Sequence, residues 1–363
     1  MIKPYYFDLH IIQLVKEFST LDENQYDTHK LDEYVEDLRK LLDYVSKYDY
    51  SKIPDPEKIG LRDALNLLSH SIAYLQTTTK EDLTSEMFSC LRLVLKDWIP
   101  AEADKYVIVC SQGDYSILRN EYLEPAYEHV EKFYKIPFRR KLISINTPLY
   151  RKSDFLFNSV LYHEIGHFVD NYYHITDRMM QQFVHGVKRV PQQSVYFKDI
   201  DFSTPGCINW NRVYCYIREY FADIFASQYI GKTVYTYLLY VNPIGEGTET
   251  HPSSANRIKI VDDFVDNNTA NIELLECIKE ATRLTSKKVL ERRYEDIDIT
   301  PFLSLNIASP TSPKQLHNIF QQIWDLWINQ RNNFIKVNEL PLSNAEIYQH
   351  INNLTAATIQ RIV

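Results

Sequence analysis

The sequence predicts a mainly helical α+β protein, and three observations carry that expectation. Apolar residues recur at helical spacing in Leu9–Phe18, Leu31–Val45, Leu61–Leu75 and Met87–Trp98. Two short β-branched runs, Tyr106–Cys110 and Leu142–Asn146, read as strands of a small mixed or antiparallel sheet. Only 8 glycines and 24% charged residues in 363 fit a compact, largely helical chain.

Each element follows from local chemistry. Ser51–Pro56 holds two prolines and separates the second helix from the third as a loop. The texture changes after Pro100, dividing the chain into a helical N-terminal region, 1–100, and a second region, 101–363, with a core of about 104–268. Gly113-Asp114 marks a turn after the first strand, and Glu121–Tyr134 reads as a helix between the strands. Ser153-Asp154 caps a helix running to about Asp170, with Phe155, Phe157, Val160, Leu161 and Ile165 on its buried side. Gly166 costs that helix about 1 kcal/mol against alanine, and its small size would admit a neighbouring helix or a substrate backbone. Beyond Ile272, Gln315–Phe334 and Asn344–Ile362 read as helices that could cover a cleft or form a partner surface.

Composition narrows the classes. With 45% hydrophobic residues the chain can bury a substantial core. Cys90, Cys110, Cys207, Cys215 and Cys277 are odd in number and form no CxxC pair, which argues against a disulfide framework and a cysteine zinc site. A net charge of −8 offers no general attraction to nucleic acid or an anionic membrane. The basic pairs Lys287-Lys288 and Arg292-Arg293 precede Glu295, Asp296 and Asp298, so they read as a solvated helix. The best apolar run, Thr233–Val241, is about half the ~20 residues of a bilayer span. The start lacks a secretory signal and the end lacks a CaaX box, so the expectation is a soluble, cytoplasmic protein with no membrane span. The 27 tyrosines suggest core and rim packing and nothing more specific.

Chemistry concentrates in two places. His163-Glu164-Ile165-Gly166-His167 spells HExxH, which on a helix stacks two imidazoles on one face and sets a carboxylate beside them. Downstream, Arg218–Ala226 contains Glu219 and Asp223 in an ExxxD pattern. A catalytic zinc ion takes three protein ligands and keeps one open position, so His163, His167 and Glu219 form a His₂Glu set. Asp223, one turn further along, is placed to accept the second ring N–H of a ligand histidine. Ala222 and Ala226 would let two helices approach closely enough to share a metal.

HExxH followed by ExxxD resembles the glutamate-zincins, the peptidase group that includes thermolysin. Thr250-His251-Pro252 with Arg257-Ile258 further resembles a THPxxxxRI stretch of CAAX-prenyl-protease-like and heat-shock membrane peptidases. The resemblance spans roughly 140–265. It implies a zincin-like catalytic core with an active-site helix, a Zn2+ cofactor and a peptide or protein substrate. It also implies that the strand upstream of the HExxH helix, here Leu142–Asn146, borders the cleft and lends its edge to an extended peptide; the other reading is an ordinary internal strand.

In the expected mechanism the metal supplies an activated water, whose proton passes to Glu164 and then to the leaving amine. The oxyanion needs a further donor, and His251 is the candidate. It follows the loop Asn242–Thr250, before a helix that Pro252 would start, and Tyr214 or Tyr216 are alternatives. Arg257 would face the site to pair with Asp223 or a substrate carboxylate, or to brace the fold. Asp170 reads more as a surface acid than as a partner of His167, and His174 and His185 read as surface residues. Glu246 and Glu249 could instead bind a substrate amino terminus, which would make the enzyme an exopeptidase. The leading reading is a narrow-specificity endopeptidase. The alternatives are a zinc-bound, non-catalytic scaffold or sensor, with a protein partner on the helical N-terminal or C-terminal regions, and a helical interaction protein with an accidental motif.

Overall fold

The computed structural model describes residues 4–23, 29–47, 55–77, 84–117, 123–151, 153–186, 190, 195–202, 208–241, 243, 245–268, 273–339 and 341–362. It is a mainly helical α+β structure with two compact units, Met1–Thr84 with Ile99–Lys152, and Ser85–Trp98 with Ser153–Val363. The units do not divide at residue 100. The sheet joins the N-terminal helices, and the fourth helix joins the helices that carry HExxH and ExxxD.

The first unit contains α1 (Pro4–Ser19), α2 (His29–Ser46), α3 (Asp55–Thr77), β1 (Tyr106–Gln112), β2 (Ser116–Ile117), α5 (Leu123–Tyr134) and β3 (Lys141–Thr147), while α4 (Ser85–Trp98) belongs to the second. Of the expected proline loop, Asp55 and Pro56 open α3, and Ser51–Pro54 lie outside the described residues. β1 pairs with β3 in parallel along its length, from Tyr106 opposite Lys141 to Gln112 opposite Thr147, and β2 pairs antiparallel at Ile145 and Asn146. β3 is therefore the middle strand. The edge expected along Leu142–Asn146 is occupied by β2 at Ile145 and Asn146. Leu38, Leu41, Leu65, Leu68, Val109, Val130 and Leu142 lie in one buried core. Tyrosines enter it through hydrogen bonds: the Tyr34 hydroxyl meets Ser71 at 2.7 Å and Tyr127 at 2.8 Å, and Tyr127 accepts from the Leu142 amide at 3.1 Å.

The second unit adds α6 (Phe155–Asn158), α7 (Leu161–Tyr173), α8 (Ile175–Val184), α9 (Trp210–Ile230), α10 (Val234–Val241), α11 (Ser254–Val265), α12 (Glu273–Ser286), α13 (Thr300–Leu303), α14 (Pro313–Asp325), α15 (Arg331–Asn338) and α16 (Asn344–Gln360). Every residue of α9 from Tyr216 to Ile230 is buried, as befits a helix apolar on most of its circumference. Around it lie α7, α8, α10, α11 and α14. α4 joins the same unit through Trp98, whose indole N–H donates to the Tyr229 hydroxyl at 3.0 Å.

The single helix expected from Asp154 to Asp170 is two. Asp154 does cap α6, accepting from the Phe157 amide at 3.2 Å. The Ser159 hydroxyl then takes the Leu156 carbonyl at 2.6 Å, competing with the helical ladder, and α7 starts afresh at Leu161. The C-terminal helices brace this junction. Asn352 Oδ1 accepts from the Phe155 amide at 2.8 Å, the Trp324 indole donates to the Leu156 carbonyl at 2.9 Å, and the Tyr348 hydroxyl donates to Asp154 at 2.7 Å. Lys287-Lys288 and Arg292-Arg293 are not helical. α12 ends at Ser286, Lys287 turns into the left-handed region, and the following coil is strapped to α9, with Gln228 accepting from the Arg293 amide at 2.6 Å.

α7 and α9 cross at Gly166. A Cβ there would lie 2.9 Å from the Ala222 Cα and 3.2 Å from the Ala222 carbonyl oxygen, so the glycine seats the neighbouring helix backbone. Gly166→Ala should therefore destabilise the protein by about 1–3 kcal/mol in denaturant unfolding, despite a helix-propensity gain of about 1 kcal/mol. Unchanged or higher stability would show that the two helices can separate at no cost.

Candidate active site

The crossing places the two motifs against each other. His163 and His167 project from the same face of α7, with ring centroids 4.6 Å apart and planes at 86°. Glu219 comes from α9, three residues before the contact residue Ala222. Its Oε2 lies 3.4 Å from His163 Nε2 and its Oε1 lies 3.3 Å from His167 Nε2. A tetrahedral ion with bonds of about 2.0–2.2 Å has edges of about 3.3–3.6 Å, the scale of each of these two separations, one to each glutamate oxygen. One donor atom from each of the three residues lies within 4.8 Å of the others, and all three are enclosed in the protein.

Asp223 binds the far side of His163. Its Oδ1 is 2.8 Å from His163 Nδ1, which leaves Nε2 directed at Glu219. The same carboxylate takes a two-pronged contact from Arg257, Nε to Oδ2 at 2.8 Å and NH2 to Oδ1 at 2.7 Å. Arg257 NH1 also reaches Glu219 Oε2 at 3.4 Å. Of the roles considered for Arg257, pairing with Asp223 is the one the geometry contains.

Electrostatics follow from burial and pairing. Burial pushes the His163 imidazolium towards deprotonation, but Asp223 and then Glu219 carry its pKa up to about 10. Burial opposes charge on Glu219 as well; His167, Arg257 and His163 nevertheless hold its carboxyl well below the usual range. Asp223 is held low, against burial, by Arg257 and His163. Glu164 is buried beside this cluster, at 7% exposure, and its charge acts on Arg257.

His251 approaches from solvent. Its side chain is 57% exposed, and Nε2 lies 3.7 Å from Glu219 Oε1. The loop that carries it is pinned to α9. The Tyr216 hydroxyl donates to the Thr248 carbonyl at 3.0 Å and accepts from Arg212 at 3.0–3.1 Å, while the His251 amide donates to Thr248 Oγ1 at 3.0 Å. Tyr216 thus anchors the loop, and its hydroxyl is already bonded. Tyr214 lies under the Arg218 guanidinium, 5.7 Å from ring centre to Cζ. Ser253 caps α11 by accepting from the Asn256 amide, so the helix starts at Ser254 and Pro252 precedes the cap. Asn242 and Ile244 of that loop lie outside the described residues.

Asp170 is not on the surface. It is 2% exposed, accepts from Thr176, and lies 3.6 Å from Arg218 Nε. His174 and His185 are exposed, as expected. Sequence reading passed over Arg218 and Arg212. The signal available for Arg218 was its place beside Glu219, where a charged side chain on so apolar a helix requires a partner.

Residues 133–265, about a third of the chain, match the model of Peptidase family M48. The matched segment contains every residue of the cluster from His163 to Arg257. The match and the convergent His₂Glu group together make this segment similar to metallopeptidases of the glutamate-zincin type. Comparison with curated proteins and with solved structures gave no match. Among the described residues, no helix is long and apolar enough to cross a membrane.

The pairing predicts a pH profile for metal-free protein. His163 has a raised pKa, so its contribution to stability is complete below about pH 6.5 and is lost as pH rises through about 10. Glu219 and Asp223 have lowered values, so theirs is complete above about pH 4.5 and is lost on acidification. Thermal melts after chelation should show this cluster's contribution greatest between these limits. A melting temperature that rises steadily from pH 6.5 to 10 would contradict the assigned pairing.

Proposed function

We propose that the protein is a zinc-dependent endopeptidase of narrow specificity. The observation that carries this reading is the meeting of His163, His167 and Glu219 donor atoms within 4.8 Å of one another, with Glu164 buried alongside. A zinc ion held by these three residues would supply an activated water and polarise the scissile carbonyl. Glu164 takes the proton of the attacking water and delivers it to the leaving amine. Asp223, fixed by Arg257, holds His163 in the tautomer that leaves Nε2 for the metal. His251, on its anchored and exposed loop, donates to the oxyanion as it forms.

Elemental analysis and a cleavage assay test the reading together. Wild-type protein should hold about one zinc per chain, and Glu219→Ala should lose it. Glu164→Gln should keep zinc and the fold while lowering cleavage about 10²–10⁴-fold. Full cleavage by Glu164→Gln would remove the proposed base, and zinc-loaded protein that cleaves no peptide in a broad library would favour a non-catalytic scaffold.

His251→Ala separates the oxyanion role from metal binding. It should lower kcat about 10²–10³-fold with zinc content unchanged. Lost zinc in that variant would make His251 a ligand instead.

A further inference from the structure

His163 and His167 are treated differently at their second ring nitrogens. His163 Nδ1 has Asp223, whereas His167 Nδ1 is buried with no hydrogen-bond partner among the described residues. Beside His167 lies a cluster that the proposed mechanism does not use. Asp170 follows it by three residues, on the same side of α7, and is 2% exposed. Thr176 occupies one site on each Asp170 oxygen, through its amide and its hydroxyl, both at 2.8 Å. A carboxylate offers about four acceptor sites, so capacity remains on both oxygens.

The positive charge that balances Asp170 comes from the partner helix. Arg218 Nε lies 3.6 Å from Asp170 Oδ2, and Arg218 directly precedes the metal ligand Glu219. Burial pushes the Asp170 carboxyl up, while Arg218, Thr176 and His167 each draw it back. Asn171 is the other polar neighbour. Its Oδ1 is engaged by Arg218 at 3.0 Å, and its buried Nδ2 is a donor without an acceptor. The Asp170 carboxylate keeps acceptor sites to spare, and the charge of His167 acts on it.

We propose that Asp170 is the positioning residue for His167, as Asp223 is for His163, with Arg218 as its counter-charge. Each ligand histidine then has its own Asp–Arg pair: Asp223 with Arg257 for the first, Asp170 with Arg218 for the second. The Nδ1–H of His167 donates towards the free side of the Asp170 carboxylate across one ordered water. That bond holds the ring in the tautomer that leaves Nε2 for the metal. Because Asp170 also binds the first turn of α8, the packing of that helix and the aim of His167 are set by one side chain. The inference rests on the zinc site proposed above.

The test is zinc affinity by chelator competition, with thermal unfolding of the metal-free full chain, for wild type, Asp170→Ala, Asp170→Asn, Thr176→Val and Asp223→Asn. Both Asp170 variants should lose about 10–100-fold in zinc affinity, the range expected for Asp223→Asn. Thr176→Val, which loosens the α8 cap and spares the carboxylate, should lower the metal-free melting temperature with affinity within about twofold of wild type. Affinity near the wild-type value in the Asp170 variants would overturn the proposal and leave Asp170 a helix cap. An equal loss in Thr176→Val would overturn it too, because affinity would then track stability alone. Should the Asp170 variants not fold, imidazole nitrogen–proton spectra of zinc-loaded wild type decide. A His167 Nδ1–H protected from exchange supports the assignment, and one exchanging freely with solvent defeats it. Wild-type protein that takes up no zinc defeats the metal site itself, before any variant is compared.

Discussion

The second unit depends on one close contact, the seating of the Ala222 backbone over Gly166 where α7 and α9 cross. His163 lies three residues before Gly166, His167 lies one after it, and Glu219 lies three before Ala222. The contact therefore sets how far the carboxylate stands from both imidazoles. A wider crossing would separate donor atoms that now sit 3.3–3.4 Å apart, and no side-chain adjustment of a short glutamate replaces a lost ångström of helix approach. The rest of the unit holds this arrangement steady. α14 and α16 grip α6, just before α7, through Trp324 and Asn352. α11 brings Arg257 onto Asp223, and Tyr216 holds the His251 loop against α9.

What was legible in the sequence was local. Both ligand histidines are four residues apart, and Glu219 and Asp223 are four apart, so helix geometry alone places each pair on a face. The small residues at the crossing could be read in the same way, since Gly166 and Ala222 have little other reason to interrupt such apolar helices. The strands could be read from their β-branched runs, whereas the middle position of β3 depends on β2, a strand of two residues that leaves almost no pattern. Long-range partnerships were not legible. α4 has the same periodicity as the N-terminal helices, and contacts distant in sequence, such as the Trp98–Tyr229 bond across 131 residues, assign it to the other unit. Asp170 follows HExxH like many exposed helix-end acids, and its burial comes from α8 and Arg218, which its own neighbourhood does not announce. Tyr216 lies as close to Glu219 in sequence as an oxyanion donor would; its hydroxyl is taken by Arg212 and Thr248, across the loop.

The charges around the crossing explain why the site suits a dication. Glu164, Asp170, Glu219 and Asp223 are buried, and among the described residues only Arg218 and Arg257 pair with them as permanent positive charges. Four carboxylates facing two guanidiniums leave an excess of two negative charges in a setting where unbalanced charge costs several kcal/mol per ion. Two responses are open to the protein. Without metal, His163 takes up a proton, and its pKa of about 10 expresses that demand. With metal, the histidines are neutral ligands and a divalent ion supplies the missing charge. Metal binding would then release the His163 proton and replace it with two positive charges. The two Asp–Arg pairs therefore set the charge of the site: each guanidinium balances one aspartate, and the deficit that remains is one a divalent ion would fill.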